Sequence, residues 1–499
     1  MRPLRPFRGL LALTTAWLVC GGASAYPGAD AGPKPFQPAR GRPAPLAGLK
    51  LLPPTVVFDR LREAGVPSSQ FAFHVRRVDA PRAVAALNDE QPIVLASTAK
   101  IVTTLAALDL LGPEHRWTTR ALARGEIVDG RLEGDLLIVG GGDASLTSDA
   151  LRRWFARLQA DGLREIHGDI VLDRLAFRLS PEDLARTPLP DPERPHHAWP
   201  DALPLDAGVL RVVVSPQGQG KVALRMQPVL DGVQLVSAVA SGPGCQAQAE
   251  LAGPLTLKVS GMLAPECGER RVELMPMSHA EFGARAIAAL WVEAGGTLSG
   301  HVVERSERDE AAESMHEATP LAVLESEPLP VRVREINKLS HNLLARNLWL
   351  TLSPDFPQRS ATSAGARERV QAWLQAQGLK TDDIEVDTGS GLSRSERARP
   401  RALAQLLARA WRGPHAQDFV VSLPIAGVDG TLARRFLTGP ATGNAWLKTG
   451  SLLDARALAG YVKGRSGKVY ALAAMIHHPD AAAAAPALDA LVEWIAENG

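Results

Sequence analysis

The chain has 499 residues, 45% hydrophobic and 22% charged, with 55 Lys+Arg against 54 Asp+Glu for a formal net charge of +1. That length exceeds one ordinary core and points to two or three domains, and the composition excludes a chain disordered throughout. The charge balance gives no reason to expect nucleic acid, because a polyanion binder carries a basic excess.

Met1 to Arg8 is basic, an apolar run extends from Gly9 to about Gly22, and Ala23-Ser24-Ala25 follows. These are the parts of a secretory signal peptide over residues 1–25, cleaved after Ala25, in a run shorter than a spanning helix. Residues 26–46 are rich in Pro, Gly and Ala and read as a linker. Phe71 to Val78 alternates like a strand, and Ala83 to Asn88 could return beside it. From Ser97 the apolar positions Ile101, Leu105, Leu108, Leu110 and Leu111 predict a buried helix.

The middle of the chain is different. Glu165 to Asp173 is strand-like, residues 180–206 are crowded with proline, and 208–275 holds short β-like runs such as Val209–Val214 and Pro254–Val259. Near the end, Leu447–Leu453, Ala457–Val462 and Val469–Ile476 predict an antiparallel meander, and an alanine-rich stretch through Trp494 predicts a closing helix. The fold expected is therefore α/β in the α+β sense, an antiparallel sheet flanked by helices built from residues 47–124 and 328–499. Residues 125–327 are expected as a β-rich insertion of two nested domains. No later stretch is long enough to span a membrane.

Removing the signal would leave Cys245 and Cys267. An exported chain permits a bridge between them, worth roughly 3 kcal/mol for a loop of that length; two buried free thiols are the alternative. Cys, His and Asp never cluster at ligand spacing, and His196-His197 and His477-His478 are adjacent pairs that would point apart on a strand. No metal or cofactor is expected.

Three short clusters carry chemistry. Ser97-Thr98-Ala99-Lys100 opens the buried helix, so one turn brings the Lys100 amine to the Ser97 hydroxyl. Such an amine can take the serine proton if burial or a neighbouring cation lowers its pKa; taken alone, the pattern also fits a helix N-cap. Ser340-His341-Asn342, read as an extended stretch, places Ser340 and Asn342 on one side and turns His341 away. Lys448-Thr449-Gly450-Ser451 puts a cation and a hydroxyl on a strand, with Gly450 allowing close approach of another element. A phosphate loop fails because Leu447, not glycine, precedes the lysine. A nucleophile elbow fails at Gly389-Ser390-Gly391, and Gly140-Gly141-Gly142 lacks dinucleotide spacing.

Taken in order, the clusters resemble the Ser-x-x-Lys, Ser-x-Asn and Lys-Thr-Gly set of penicillin-binding proteins and serine β-lactamases. The long interval from Ser97 to Ser340 is similar to the class C low-molecular-mass penicillin-binding proteins, the D-alanyl-D-alanine carboxypeptidase/endopeptidase family. Val139–Asp143, Gly168–Asp173, Trp199–Leu203, Asp387–Arg394 and Leu423–Leu432 look like that family too, so the resemblance runs from about residue 50 to the end. It implies a β-lactamase/transpeptidase-like domain and a serine DD-peptidase acting on peptidoglycan stem peptides and acylated by β-lactams. A β-lactamase and a catalytically idle sensor are the competing readings.

By the same resemblance Ser97 is the nucleophile, Lys100 its base, and Ser340 a proton relay. Asn342 would hold Lys100 and the substrate backbone, and Lys448 would keep the Lys100 pKa low. Thr449 would bind the terminal carboxylate, with the oxyanion between the N–H groups of Ser97 and Ser451. Arg394 and Asp173 would contact the peptide's acidic end and a diaminopimelate amine. Leu453 and Arg346 stand where relatives have a polar and an acidic residue. The expected location is the periplasm, free or held peripherally at the membrane.

Overall fold

A computed structural model describes residues 54–217, 221–306 and 318–499. The expected signal peptide and linker lie outside the described residues. The main body is built on five antiparallel strands: β1 (Phe71–Arg77), β2 (Ala83–Leu87), β3 (Ala445–Leu452), β4 (Ala455–Lys463) and β5 (Val469–His477), in the order β2-β1-β5-β4-β3.

Alternation along these strands decides what packs on each face. Phe71, Phe73, Leu472, Ala474 and Ile476 turn to one side, where they meet helices α1 (Thr55–Glu63) and, from the end of the chain, Ala485–Asn498. Ala72, Ala457, Ala459, Ala471 and Ala473 turn to the other, against α2 (Ala99–Leu111), α3 (Leu329–Leu339), α4 (Asn342–Thr351) and α5 (Pro400–Ala410). Every residue of α2 from Ala99 to Leu108 is buried, Lys100, Thr103 and Thr104 among them, which places the helix at the centre of the body. The meander and the closing helix stand where the sequence pattern placed them.

The insertion has its own core, centred on Trp154, Phe155, Phe282 and Trp291. A seven-stranded mixed sheet includes the hairpin Thr118–Val128 and Arg131–Val139, joined at Asp129-Gly130. Two three-stranded sheets follow, and the Cys245–Cys267 disulfide closes one of them, with Cα atoms 5.4 Å apart. The expected boundary at 124/125 falls inside a strand: Thr118–Val128 pairs with Arg131–Val139 and with Thr319–Glu325. The excursion therefore departs after α2 and has returned by α3. It also carries two long helices, Ser148–Ala160 and His279–Glu293, that a purely β reading omits.

Candidate active site

Ser97 lies in a tight 3-10 turn, Ala96–Thr98, that runs directly into α2. Ala96 before it has φ 45°, a conformation costly for alanine unless its surroundings impose it. They do so closely: a Cβ on Gly391 would come within 1.9 Å of the Ala96 carbonyl oxygen, and one on Gly450 within 2.9 Å of the Leu95 carbonyl oxygen. Side-chain-free backbone on both flanks lets the Gly391 turn and β3 grip the serine turn.

One turn into the helix, the fully buried Lys100 Nζ donates to Ser97 Oγ at 3.0 Å, to Asn342 Oδ1 at 2.6 Å and to the Ser390 carbonyl at 2.5 Å. Burial pushes its pKa down to about 7; Glu396 opposes that shift and Arg346 adds to it. Lys448 Nζ, also fully buried, donates to Ser340 Oγ and to the Thr449 carbonyl, each at 2.9 Å. Burial and then the charge of Lys100 hold Lys448 well below the usual lysine range. Burial leads at both amines, Arg346 adds to the lowering at Lys100, and the two lysine charges, being of like sign, each disfavour the other.

Ser340 and Asn342 converge by a different geometry from the extended stretch expected. Ser340 is left-handed, φ 58° and ψ 37°, and ends α3, while Asn342 is the first residue of α4. This sharp junction aims both side chains inward. His341 Nδ1 accepts from the Leu344 N–H at 3.2 Å, capping α4, so the histidine is structural.

β3 is the edge of the sheet. Its Leu447 N–H bonds outward to the Pro424 carbonyl at 2.9 Å, and antiparallel alternation then points the N–H groups of Thr449 and Ser451 outward as well. Thr449 Oγ1 lies 2.8 Å from Thr431 Oγ1. A cleft of about 410 Å³ opens here, walled by Ser97, Asn342, Arg394 and Ser451 from the body and by Pro188, Arg194, His196 and His197 from the insertion. Arg394 pairs with Asp454 at its mouth. Asp173 does not reach it: it is 4% exposed and bonded to Arg305 at 2.6 Å, since a carboxylate on the inner strand Ile170–Asp173 needs a cation there.

Sequence reasoning missed the acidic floor. Glu396, fully buried, accepts the Asp387, Thr388 and Gly389 N–H groups at 3.4, 3.1 and 2.8 Å, shaping the turn whose Ser390 carbonyl receives Lys100. Burial and the Asp387 carboxylate push Glu396 up to about 7. Lys338, bonded to Asp429 at 2.6 Å and to the Leu423 carbonyl, ties the Leu423–Leu432 segment to α3. In the sequence that segment and Asp387–Arg394 read as family look-alikes, with a role implied for Arg394 alone.

Buried amines on two serine hydroxyls, an amide and an open strand edge are the parts of a serine acyl-transfer site. Residues 57–498 match the D-Ala-D-Ala carboxypeptidase 3 (S13) family. The chain belongs to that family. It is a serine DD-peptidase. The D-alanyl-D-alanine carboxypeptidase DacB of Haemophilus influenzae is 25% identical over 417 residues, covering 82% of this chain and 85% of that one. A D-alanyl-D-alanine carboxypeptidase of Actinomadura sp. is 28% identical over 406 residues, 76% of this chain and 72% of the other. The S13 fold itself is that of penicillin-binding protein 4 from H. influenzae, whose crystal structure superposes with a TM-score of 0.70 at 24% identity over 85% of this chain and 93% of that one. That protein has also been crystallised with a β-lactam. Among the described residues, no helix is long and apolar enough to cross a membrane, and no group of three His, Cys, Asp or Glu could hold a metal ion.

Proposed function

We propose that this DD-peptidase is exported to the periplasm and cleaves the D-alanyl-D-alanine bond of peptidoglycan stem peptides, or the same bond type in a cross-link, through an ester on Ser97. The observation that carries the reading is a buried amine, near neutral pKa, 3.0 Å from the Ser97 hydroxyl. In acylation the Ser97 proton passes to Lys100 Nζ while Oγ bonds to the carbonyl carbon. The carbonyl electrons move onto an oxyanion between the Ser97 and Ser451 N–H groups. The C–N bond then breaks, and the departing amine takes a proton through Ser340, which Lys448 supports. Water hydrolyses the ester and restores Ser97.

Thr449 and Lys448 receive the terminal carboxylate, which brings Lys448 the counter-charge it otherwise lacks. Asn342 keeps Lys100 directed at Ser97 and presents its amide to the substrate backbone. Arg394 meets the acidic end of the peptide at the cleft mouth. A β-lactam acylates Ser97 by the same attack, since its strained amide occupies the position of the scissile bond.

Mass spectrometry after penicillin treatment tests the nucleophile: an adduct on wild type that disappears in Ser97→Ala is expected. An adduct surviving the substitution, or absent from both proteins, would overturn the assignment. Release of D-alanine from a pentapeptide, compared with cleavage of cross-linked muropeptides, separates carboxypeptidase from endopeptidase action. Rapid loss of the penicillin adduct without peptide cleavage would instead indicate a β-lactamase.

A further inference from the structure

The insertion reaches the reaction centre through residues 186–201, a proline-rich strap with a single 3-10 turn at Pro195–His197. A segment so poor in regular hydrogen bonds takes its position from side chains that bond its backbone. Three of these come from α4, one of them Asn347, whose Nδ2 donates to the Asp201 carbonyl at 2.8 Å at the end of the strap. Asn342 Nδ2 donates to the His196 carbonyl at 2.9 Å. One turn further on, Arg346 donates from Nη1 to the Ala198 carbonyl at 2.7 Å and from Nη2 to Thr187 Oγ1 at 3.0 Å.

Arg346 is 3% exposed. Burying a guanidinium among neutral acceptors is costly, and its rigid fork fixes two well-separated points of the strap at once. The strap in turn supplies Pro188, Arg194, His196 and His197 to the cleft wall facing Ser451 and Arg394.

We propose that Arg346 is a positioning residue, clamping the strap onto α4 so that the cleft wall fits the peptide leading to the scissile bond. The inference rests on the DD-peptidase reading and adds to it the element that sets how tightly the peptide is held. The same cation has an electrostatic consequence. Lys100 is surrounded by Glu396, Arg346, Lys448 and His341, with Asp387 behind Glu396. Arg346 favours the free amine and Glu396 the ammonium. Deleting the Arg346 charge therefore raises the Lys100 pKa and moves the acid limb of kcat/KM to higher pH.

The test uses full-length enzyme, D-alanine release from a pentapeptide ending in D-Ala-D-Ala, and acylation by a fluorescent penicillin. Arg346→Gln is expected to raise KM about tenfold, the order for a lost charge-assisted pair of hydrogen bonds, and to shift the acid limb upward. Arg346→Lys keeps the charge but not the fork, so KM rises while the limb stays in place. Thr187→Val removes one strap acceptor without touching the cation; KM rises about threefold with the limb unmoved. Should Arg346→Gln fail to fold, the other two variants carry the test. KM within twofold of wild type in the variants that fold, or a loss confined to kcat, overturns the clamp. A wild type that is acylated but releases no D-alanine overturns the DD-peptidase reading instead, whatever the variants do.

Discussion

In the insertion, Arg174 is wedged between Asp201 and Glu304, and Asp173 meets Arg305 at 2.6 Å. In the catalytic body, Lys100 donates to a hydroxyl, an amide and a carbonyl, and Lys448 to a hydroxyl and a carbonyl. Both regions bury cations, and the outcome differs with the partner. Burial works against the charge of Arg174, yet Asp201 and Glu304 hold its pKa above the ordinary value. With neutral acceptors nothing of that size opposes desolvation, and the lysines lose affinity for the proton. Among these groups, a matched charge is structure and an unmatched lysine is a base.

The strongest way to break this contrast is Lys100→Met, which keeps length and removes the amine. Acylation is expected to fall by about 10³-fold, the scale for losing a positioned general base, as read by stopped-flow with a fluorescent penicillin. Stability should move the other way. The Lys100 pKa is about 7 in the folded state against 10.5 for an ordinary lysine. The unfolded chain therefore binds the proton more tightly. The handicap is complete below about pH 7 and fades as pH climbs towards 10.5. Lys100→Met should thus melt higher than wild type at pH 6, with the gap closing in alkali. In the wild type, kcat/KM should fall about tenfold per unit below pH 7 as the amine protonates. A substitution that lowered activity and melting temperature together would count Lys100 among the structural charges.

Close approach beside the nucleophile gives a second test of the catalytic region. In Gly450→Ala the new Cβ would meet the Leu95 carbonyl oxygen at 2.9 Å and the Ala96 and Ala457 Cβ atoms at 3.1 Å. Either β3 or the serine turn must give, and a displacement of a few tenths of an ångström at the nucleophile should lower kcat/KM roughly 30-fold. Unchanged kinetics would mean that the serine turn is held from the Gly391 side alone.

The residues of this contrast were unequally legible. Ser97, Lys100, Ser340, Asn342 and Lys448 stood out because side-chain chemistry at short fixed spacing leaves a pattern, even though Ser340 reaches Lys448 through a left-handed junction that no spacing rule describes. The Ser390 carbonyl left none, since an acceptor on the backbone has no residue type. Glu396, in a stretch dense with arginine and serine, reads as surface until the fold brings the turn at 387–389 onto it. Arg346 is unusual where it stands in the sequence, but its acceptors at 187 and 198 belong to the distant strap. The helix Ser148–Ala160 is legible in the sequence: Leu151, Trp154, Phe155 and Leu158 have helical spacing behind the Thr147 cap. Its strand neighbours drew the segment into a β reading.

The smallest effect on catalysis is expected where the charge is matched. Arg305→Met leaves the Asp173 carboxylate buried without its cation, and breaking such a pair costs about 3–5 kcal/mol. Because the insertion has a core of its own, that loss should appear as an earlier unfolding step in calorimetry. The Arg305 guanidinium touches none of the groups around Ser97, so acylation measured below that step should stay within about twofold of wild type. If acylation fell in proportion to stability, the Asp173 pair would be transmitting its geometry to the cleft through the strap. The division between charges that hold the insertion and charges that run the chemistry would then have to be redrawn around Arg174 and Asp201, whose backbone the Asn347 amide of α4 contacts at 2.8 Å.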